Sequence, residues 1–407
     1  MAEIRNLIVD DIDLFRARLS RGFGRDLDSD PESRSRFDAI FELDRTFAAY
    51  DGSDIVGTAA AFSLGLTVPG GGSVPMGGTT IVSVQPTHRR QGVMRGLMTR
   101  HLEEVREHGD PVAGLWASES SIYRRFGFGP ATHRFSAEML SGRVDFLEPA
   151  DPGGIRLAER EEAEKAVRSV YETARSTTPG MLTRGDEWWD YRVFADVESW
   201  RGGKSALRYA IYEADGEPHG YAMYRQKAKW DDYAGDGEVS IQEIVTTDPD
   251  SHRGLWSYLT SIDLFPNVEY WNLPLDDPLP AMLRASRAVK LNLGDSLWVR
   301  LIDVGRAIEA RSFADDGVVT FEVADPVFAD AGGVFRLVVE GGEASCERVT
   351  SSPELELSAD ALGTLYLGGG DAIQLARAGR ISGGQGPVTT LHRMFRGDIQ
   401  PWCNEIF

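Results

Sequence analysis

Three arginines cluster where a strand gives way to a helix in the first third of the chain. The strand ends at Val84, and the helix is predicted to begin near Arg90. The first N–H groups of a helix lack partners within the helix and carry a partial positive charge. Gly92 has no side chain, so a ligand can approach the backbone there. Arg89, Arg90 and Arg95 add positive charge around it. The alternative is an ordinary solvent-exposed first turn of a surface helix, but positive side chains there oppose the helix dipole and would be unfavourable without a bound anion. We therefore interpret this segment as a pyrophosphate site.

A tyrosine follows the next strand at a position where it can supply a proton. That strand ends at Trp116, and a short helix carries Tyr123 and closes at Gly127. A tyrosine placed there can donate a proton to a leaving thiolate. The ring can equally pack against the sheet with its hydroxyl bonded locally, which is the commoner fate of a lone tyrosine. The residues alone leave both interpretations open.

Together these two segments resemble the GCN5-related N-acetyltransferase fold, a mixed sheet that splays to hold coenzyme A. In that family an R/Q-x-x-G-x-G/A turn binds the pyrophosphate, and a strand binds pantetheine through its backbone. Here the turn reads Arg89-Arg-Gln-Gly92-Val-Met94, so Gly92 is kept and Met94 replaces the small residue. The resemblance implies acetyl-CoA as co-substrate.

Over essentially the whole chain, the order of parts is similar to the Eis (enhanced intracellular survival) family. THRRQG is followed by ASESSIYRRFGFGPAT, then by a second acetyltransferase-like unit, then by LYLGG at Leu365–Gly369. The resemblance implies an acetyl-CoA-dependent N-acetyltransferase of amines, including aminoglycosides, that assembles as a homohexamer. It also implies a third domain similar to a sterol carrier protein.

The resemblance assigns roles to individual residues. Tyr123 matches the general acid, and the α-carboxylate of the C-terminal Phe407 matches the general base. Ser118 and Glu119 would contact the cofactor. The last acidic side chain, Glu405, stands two residues before the end, which leaves its contact with an acceptor open. Pantetheine would lie along Val82, Ser83 and Val84, and the pyrophosphate would bind to Arg90, Gln91, Gly92, Val93, Met94 and Arg95.

The sequence of the tail allows this use of the C-terminus. Pro401-Trp402 can anchor the tail, and Ile406 and Phe407 can bury apolar groups beside the cleft. The alternative is a terminal segment that simply packs against its domain.

The elements that position these residues divide the chain into three predicted domains, 1–150, 151–298 and 299–407. A Pro- and Gly-rich linker, Glu148–Gly154, separates the first two. The expected fold class is α/β of the α+β kind. It comprises two tandem acetyltransferase-like mixed sheets, the second degenerate, and a C-terminal sterol-carrier-like α+β domain. In that last domain, strands are predicted at Val334–Val339 and Leu355–Leu357, and helices at Ala361–Leu367 and Ala372–Ala378.

A weak internal repeat suggests that one supersecondary unit is used twice. Thr79–Met98 (TTIVSVQPTHRRQGVMRGLM) and Ser240–Leu259 (SIQEIVTTDPDSHRGLWSYL) both read as strand, Pro-containing turn and apolar helix. The second copy has Asp248 and Asp250 beside the phosphate position and Trp256 in its path. Like charges repel, so we expect the second copy not to bind coenzyme A.

Composition bounds the possible partners. The chain has 407 residues, with 43 Lys and Arg against 63 Asp and Glu, a formal net charge of −20. This charge disfavours nucleic acid and anionic membranes and suits a cationic small-molecule amine or a lysine side chain. Two cysteines and no Cys/His cluster of zinc spacing predict no metal site. The absence of a signal-peptide pattern and of a long apolar run predicts a cytoplasmic protein without a membrane span.

Two other functions stay open at this point. One is acetylation of protein lysines, and the other is a non-catalytic lipid-binding or scaffold role suggested by the third domain. Arg90, Gly92 and Tyr123 argue against the scaffold, because a protein without catalysis would lose nothing if they eroded.

Overall fold

The computed structural model describes residues 2–27, 30–149, 154–231 and 233–407. Contacts group them into two units. The first comprises the described residues of 1–132 together with 179–193 and 295–407, and the second comprises those of 133–178 and 194–294. The predicted break at residue 150 falls among residues that lie outside the described ranges. The three-domain division stays a prediction, because the contact units follow strand pairing and not the order of the chain.

The strands and helices are numbered in chain order. The strands are β1 Glu3–Asn6, β2 Thr46–Asp51, β3 Asp54–Thr67, β4 Ser73–Val84, β5 Val112–Trp116, β6 Gly129–Pro130, β7 His133–Leu140, β8 Ile155–Ala158, β9 Arg208–Ala214, β10 Glu217–Lys227, β11 Glu238–Thr246, β12 Asn267–Leu273, β13 Val289–Asp295, β14 Leu297–Leu301, β15 Gly317–Ala324, β16 Gly333–Glu340, β17 Glu343–Arg348, β18 Leu355–Ser358 and β19 Ile381–Gly383. The helices are α1 Ile12–Gly22, α2 Pro31–Ile40, α3 Val93–His108, α4 Ser120–Tyr123, α5 Arg160–Arg175, α6 Asp186–Trp188, α7 Pro249–Thr260, α8 Leu279–Met282, α9 Val304–Glu309, α10 Ala359–Leu365, α11 Ala372–Arg377 and α12 Gln385–Phe395.

The first sheet, in the first unit, has the order β1-β2-β3-β4-β5-β14-β6. Its strands pair antiparallel except at its centre, where β4 and β5 run parallel. That parallel pairing is short, and it joins Met76–Gly78 to Val112–Gly114. A mixed sheet of this kind was expected from the sequence.

The second sheet, in the second unit, has the order β13-β7-β12-β11-β10-β9-β8 and repeats the first. Its β11 and β12 are again a short parallel pair at the centre. In each sheet, the strand next to one edge comes from the other half of the repeat. β7 follows β6 along the chain but pairs with β12, and β14 follows β13 but pairs with β5 and β6. The two copies therefore exchange equivalent strands, which confirms the duplication and explains why no single cut in the chain separates them.

A third sheet, β17-β16-β15-β18-β19, completes the first unit together with α9 to α12. Its inward-facing residues, such as Phe321 and Leu337, share one core with Leu64 and Met76 of the first sheet. The apolar alternation of β15 and β16 buries one face, as expected of an antiparallel pair that packs on one side.

Helix α3 lies on the first sheet through an apolar face, with Leu97, Met98, Leu102 and Val105 buried. Polar groups fix it as well: Arg45 bonds Glu104 at 2.8 Å and Asp110 at 2.8 Å, all buried. His101 Nε2 lies 2.6 Å from Thr79 Oγ1 on β4. Burial, with a smaller effect of the Arg45 charge, lowers the pKa of His101 to about 3, so the ring is neutral. This network fixes the C-terminal half of α3 against the first sheet.

Candidate functional site

The first sheet opens into a V at Gly78 and Gly114, the last paired positions of β4 and β5. Beyond them, Thr79–Val84 pairs with β3 on one side, and Leu115 and Trp116 pair with β14. Among the described residues, no strand covers the inner edge of Thr79–Val84. An extended ligand carrying amide groups can bind such an edge as an added strand would.

A β-bulge bends β4 along this arm of the V. The register of β3 and β4 shifts between Thr58 and Ala60, and Ile81 has a φ of +46°, which is rare for a β-branched residue. Thr58 Oγ1 donates a 2.7 Å hydrogen bond to the carbonyl of Ile81 and lies 3.0 Å from Ser83 Oγ. A bulge bends its strand, so this arm departs from the regular course of β4. The β-branched run in the sequence gave no sign of it.

The three residues expected along pantetheine lie on this arm. Ser83 is buried, with its side chain against Gly22 of α1, while Val82 and Val84 are half-buried and pack towards α3. Because these side chains pack against α1 and α3, a ligand on this arm would bind to the backbone N–H and C=O groups.

The loop before α3 forms an exposed, positively charged end. Arg90 has a φ of +63° and Gly92 a φ of +86°, so the helix begins at Val93, later than the predicted start near Arg90. Left-handed residues cannot continue a right-handed helix, which explains the difference. Gly92, at the cap position, makes no side-chain bond to the first N–H groups. Of the residues expected around the pyrophosphate, Arg90, Gln91, Gly92 and Arg95 are exposed, Met94 is half-buried and Val93 is buried.

The equivalent helix of the second unit, α7, begins differently. The Asp248 carboxylate accepts bonds from the backbone N–H groups of Asp250 at 2.9 Å and Ser251 at 2.8 Å. These bonds help to hold the pKa of Asp248 below its usual range, so the N-terminus already carries an anion of its own. The expectation that Trp256 lies in the phosphate's path is wrong. Trp256 is buried in the core against Tyr270, because its place on the apolar face of α7 turns it to the sheet.

Tyr123 packs its ring against the protein with its hydroxyl bonded locally, and its use as a proton donor stays a prediction. Its side chain is 5% exposed and packs edge-on against Phe128, with ring centroids 6.3 Å apart. Burial raises the pKa of the hydroxyl, and a hydrogen bond with Ser118 opposes that rise. A tyrosine in this setting stays protonated at neutral pH. Its apolar cluster takes in Val82 from one arm of the V and Met94 from α3.

The other residues expected beside the cofactor, Ser118 and Glu119, follow the end of β5 and are exposed. Glu119 accepts a 3.3 Å bond from the Ser121 hydroxyl. Ser118 is thus accessible to solvent while it bonds Tyr123.

The C-terminal tail reaches the apex of the V from the opposite face of the sheet. A methyl group added at Gly78 would lie 3.2 Å from Cε2 of Phe407. A methyl group on the neighbouring Gly77 would point to Val105 of α3, on the face that carries Tyr123. Tyr123 and Phe407 therefore approach the V from its two faces.

The anchor of the tail is partly as the sequence predicts. Trp402 and Cys403 are buried, and Trp402 N donates to Pro179 O at 2.8 Å. Ile406 is 47% exposed, so the expectation that it buries its side chain is wrong. Neighbouring side chains of this extended tail point in opposite directions, so Ile406 faces solvent while Glu405 is buried.

The carboxylate of Glu405 is bonded to other residues of the protein. Its carboxylate pairs with Arg184 and accepts a 3.1 Å hydrogen bond from Trp188 Nε1. Both members of the ion pair are nearly inaccessible, with side chains 2% and 6% exposed. A carboxylate held in this way is not open to an acceptor, which answers the question that the sequence left. Nothing in the sequence linked residue 184 to residue 405.

The described residues contain no cluster of His, Cys, Asp and Glu suited to a metal ion. Nor does that part of the chain contain a helix long and apolar enough to cross a membrane.

Comparison with known proteins agrees with this geometry. Two family models described as acetyltransferase (GNAT) domains match residues 3–131 and 180–301, and a sterol carrier protein domain matches residues 304–404. An uncharacterized N-acetyltransferase of Streptomyces avermitilis is 38% identical over 98% of both chains. The N-acetyltransferase Eis of Mycobacterium tuberculosis is 33% identical over 86% of both. The crystal structure of Eis1 from Mycobacterium abscessus covers both chains completely, with a TM-score of 0.86 and 29% identity. The expected fold class, with its sterol-carrier-like third part, is confirmed.

Proposed function

Because this chain belongs to the Eis family of GCN5-related N-acetyltransferases, we propose that it transfers acetyl from acetyl-CoA to an amine of a cationic acceptor such as an aminoglycoside. Family membership makes the protein an acyltransferase and answers the non-catalytic scaffold alternative. The observation that carries the proposal is the V of the first sheet, with Tyr123 reaching it on one face and Phe407 on the other.

The described residues fit acetyl-CoA at the first sheet. The inner edge of Val82, Ser83 and Val84 would bond the amides of pantetheine. The loop from Arg90 to Arg95 combines an uncapped helix N-terminus with arginine side chains, which suits a pyrophosphate. The second sheet lacks this fit, since the carboxylate of Asp248 caps its helix. We therefore propose one acetyl-CoA per chain.

The proposed chemistry is direct transfer. The carboxylate of Phe407 takes a proton from the acceptor ammonium, directly or through water, and the freed amine attacks the thioester carbonyl. The carbon–sulfur bond breaks as the amide forms, and Tyr123 gives its hydroxyl proton to the departing thiolate. The attacking nitrogen loses its second proton to solvent as the amide forms, the carboxylate releases the proton that it took, and the tyrosine regains a proton. Ser118, exposed and bonded to Tyr123, is placed to pass that proton from solvent.

The acceptor is proposed from charge. An α-carboxyl group has an ordinary pKa of about 3.3–3.7, so the end of the chain is anionic at neutral pH and attracts an ammonium group. The net charge of −20 favours the approach of cations in general. A lysine side chain of a protein has the same chemistry and is the alternative acceptor.

The experiment is a panel of amines incubated with acetyl-CoA and followed by release of the coenzyme A thiol. Polyamine antibiotics, simple primary amines and lysine-rich peptides form its three arms. Rapid turnover with the antibiotics and slow turnover with the peptides supports the proposal. The reverse order would favour lysine acetylation, and no turnover with any amine would contradict the proposed acceptor class.

We propose in addition that the protein is a cytoplasmic homohexamer, as the family resemblance implies. Light scattering would then give a mass of six times the 44.8 kDa of the chain. A monomeric mass would contradict this.

A further inference from the structure

The end of the chain is supported by a segment from its middle, residues 179–193. This segment runs along the end of β3, where Gly180 N donates to Thr67 O and Thr183 N donates to Gly65 O, both at 2.8 Å. Leu182 also bridges to the same strand. Segment and tail belong to the same contact unit. The segment is therefore fixed to the sheet that carries the proposed site.

Two of the contacts between this segment and the tail are made by tail residues that come before Ile406 and Phe407. The backbone of Trp402 bonds Pro179, and the buried pair of Arg184 with Glu405 follows three residues later along the tail. Trp188 adds its hydrogen bond to Glu405. A buried ion pair costs desolvation and stabilises only with good geometry, so its role here is to fix a position.

A third contact reaches the residue just before the terminus. Arg192 Nη2 donates a 2.6 Å hydrogen bond to the carbonyl of Ile406. Arg192 lies in a short π-helix, Trp189–Val193, a rare geometry that often occurs at functional sites. The side chain is accessible to solvent, yet the surrounding protein removes enough water to lower the pKa of its guanidinium.

The geometry points to Arg192 as a positioning residue that orients the terminal carboxylate of Phe407, with the Arg184–Glu405 pair as the more distant support. This inference rests on the proposed role of that carboxylate as general base. One peptide unit separates the bonded carbonyl from the terminal carboxylate, so bond lengths keep the guanidinium within about 8 Å of it. At that range, the positive charge also favours the ionised carboxylate.

A chain end needs such a device because it is otherwise the least ordered part of a protein. A general base acts efficiently only when it is held within hydrogen-bonding reach of the proton that it removes. A displacement of about 1 Å can lower a rate by about 10²-fold. Holding the carbonyl one residue earlier removes most of the freedom of the terminus and leaves the carboxylate itself open to the acceptor.

The test compares Arg192→Met with Arg192→Lys, and uses Arg336→Met as the matched control. Arg336 is an exposed arginine on β16, so its replacement removes the same charge away from the tail. We expect Arg192→Met to lower kcat by about 10- to 100-fold at saturating substrates. Acetyl-CoA Kd and Tm should stay near those of the control. The ammonium of Arg192→Lys can still donate to the Ile406 carbonyl, so kcat should recover to within about 5-fold of wild type.

The second arm repeats Arg192→Met in a chain extended by Gly-Ser after Phe407. The extension removes the carboxylate from its place and keeps the Ile406 carbonyl. If Arg192 acts through the carboxylate, its replacement should lower the remaining rate by less than about 2-fold. If the extended chain is fully active, the proposed base fails. If the extended chain is inactive while Arg192→Met turns over normally, the inference alone fails.

Two further outcomes would overturn the inference. Equal loss in Arg192→Met and Arg192→Lys, together with a lower Tm, would mean that the contact only stabilises the fold. If Arg192→Met lowers kcat in the extended chain by the same factor as in the native chain, Arg192 acts on something other than the carboxylate. If Arg192→Met does not fold, Arg192→Gln replaces it, because its amide keeps a hydrogen-bond donor without the charge.

Discussion

Adding one methyl group at Gly78 should disturb catalysis without touching a reacting group. The new Cβ of Gly78→Ala would lie 2.6 Å from Leu64 Cδ1 and 3.2 Å from Phe407 Cε2. Relaxed carbon–carbon contacts are about 3.5–4.0 Å, so the ring of Phe407 must move by roughly 0.5 Å and the Leu64 methyl by about 1 Å. Overpacking of this size costs about 1–3 kcal/mol of folding stability. Since the ring carries the terminal carboxylate with it, we expect kcat to fall about 10- to 100-fold.

Gly77→Ala is the matched control for this substitution. Its Cβ would meet Val105 Cγ2 at 2.6 Å, on the opposite face of the sheet. Both variants should lose similar stability by thermal unfolding, while at saturating acetyl-CoA only Gly78→Ala should lose turnover. Equal turnover of the two variants would show that the position of the Phe407 ring does not govern the reaction.

Three other outcomes are expected. Tyr123→Phe keeps the ring contacts and removes the hydroxyl, so kcat should drop about 10²-fold or more with acetyl-CoA Kd nearly unchanged; turnover within a few-fold of wild type would make the residue structural. Arg90→Ala should weaken acetyl-CoA binding by ~1.5–3 kcal/mol in calorimetry, and wild type should bind one molecule per chain; unchanged affinity would remove Arg90 from the site, and two equivalent sites would contradict the inert second sheet. His101 has a folded pKa near 3 against ~6.5 unfolded, so its contribution to stability is lost as pH falls below ~6.5. Between pH 7 and pH 5 the wild type should lose ~2 kcal/mol more unfolding free energy than His101→Gln in urea titrations, and equal losses would mean that the ring is already charged in the fold.

Local patterns predicted the elements well where packing follows sequence periodicity. Two strands of the third sheet appear where the sequence places them: Val334–Val339 lies within β16 and Leu355–Leu357 within β18. The predicted helix at Ala372–Ala378 matches α11 to within one residue. In these elements, the face that is buried is the face that the residue spacing defines.

Features that depend on distant residues were not predictable from local patterns. The apolar pattern of a strand defines which of its residues are buried but not which sheet the strand joins, so the exchange of β7 and β14 leaves no local record in the sequence. The bulge at Ile81 occurs within a run that favours regular strand. The contacts of Arg184 and Arg192 with the tail join positions more than two hundred residues apart. The roles of Tyr123, Phe407 and the cofactor-binding residues stay predictions that the geometry supports.

The central claim is that the carboxylate at the end of the chain takes the acceptor's proton, and moving that carboxylate tests it most directly. The measurement is the initial rate of coenzyme A release, with acetyl-CoA and a reactive amine, by the native chain and by a chain extended with Gly-Ser after Phe407. We expect the extended chain to lose at least about 10²-fold in kcat while its acetyl-CoA Kd and Tm stay near native values. An extended chain that turns over at the native rate would contradict the claim and place the base elsewhere.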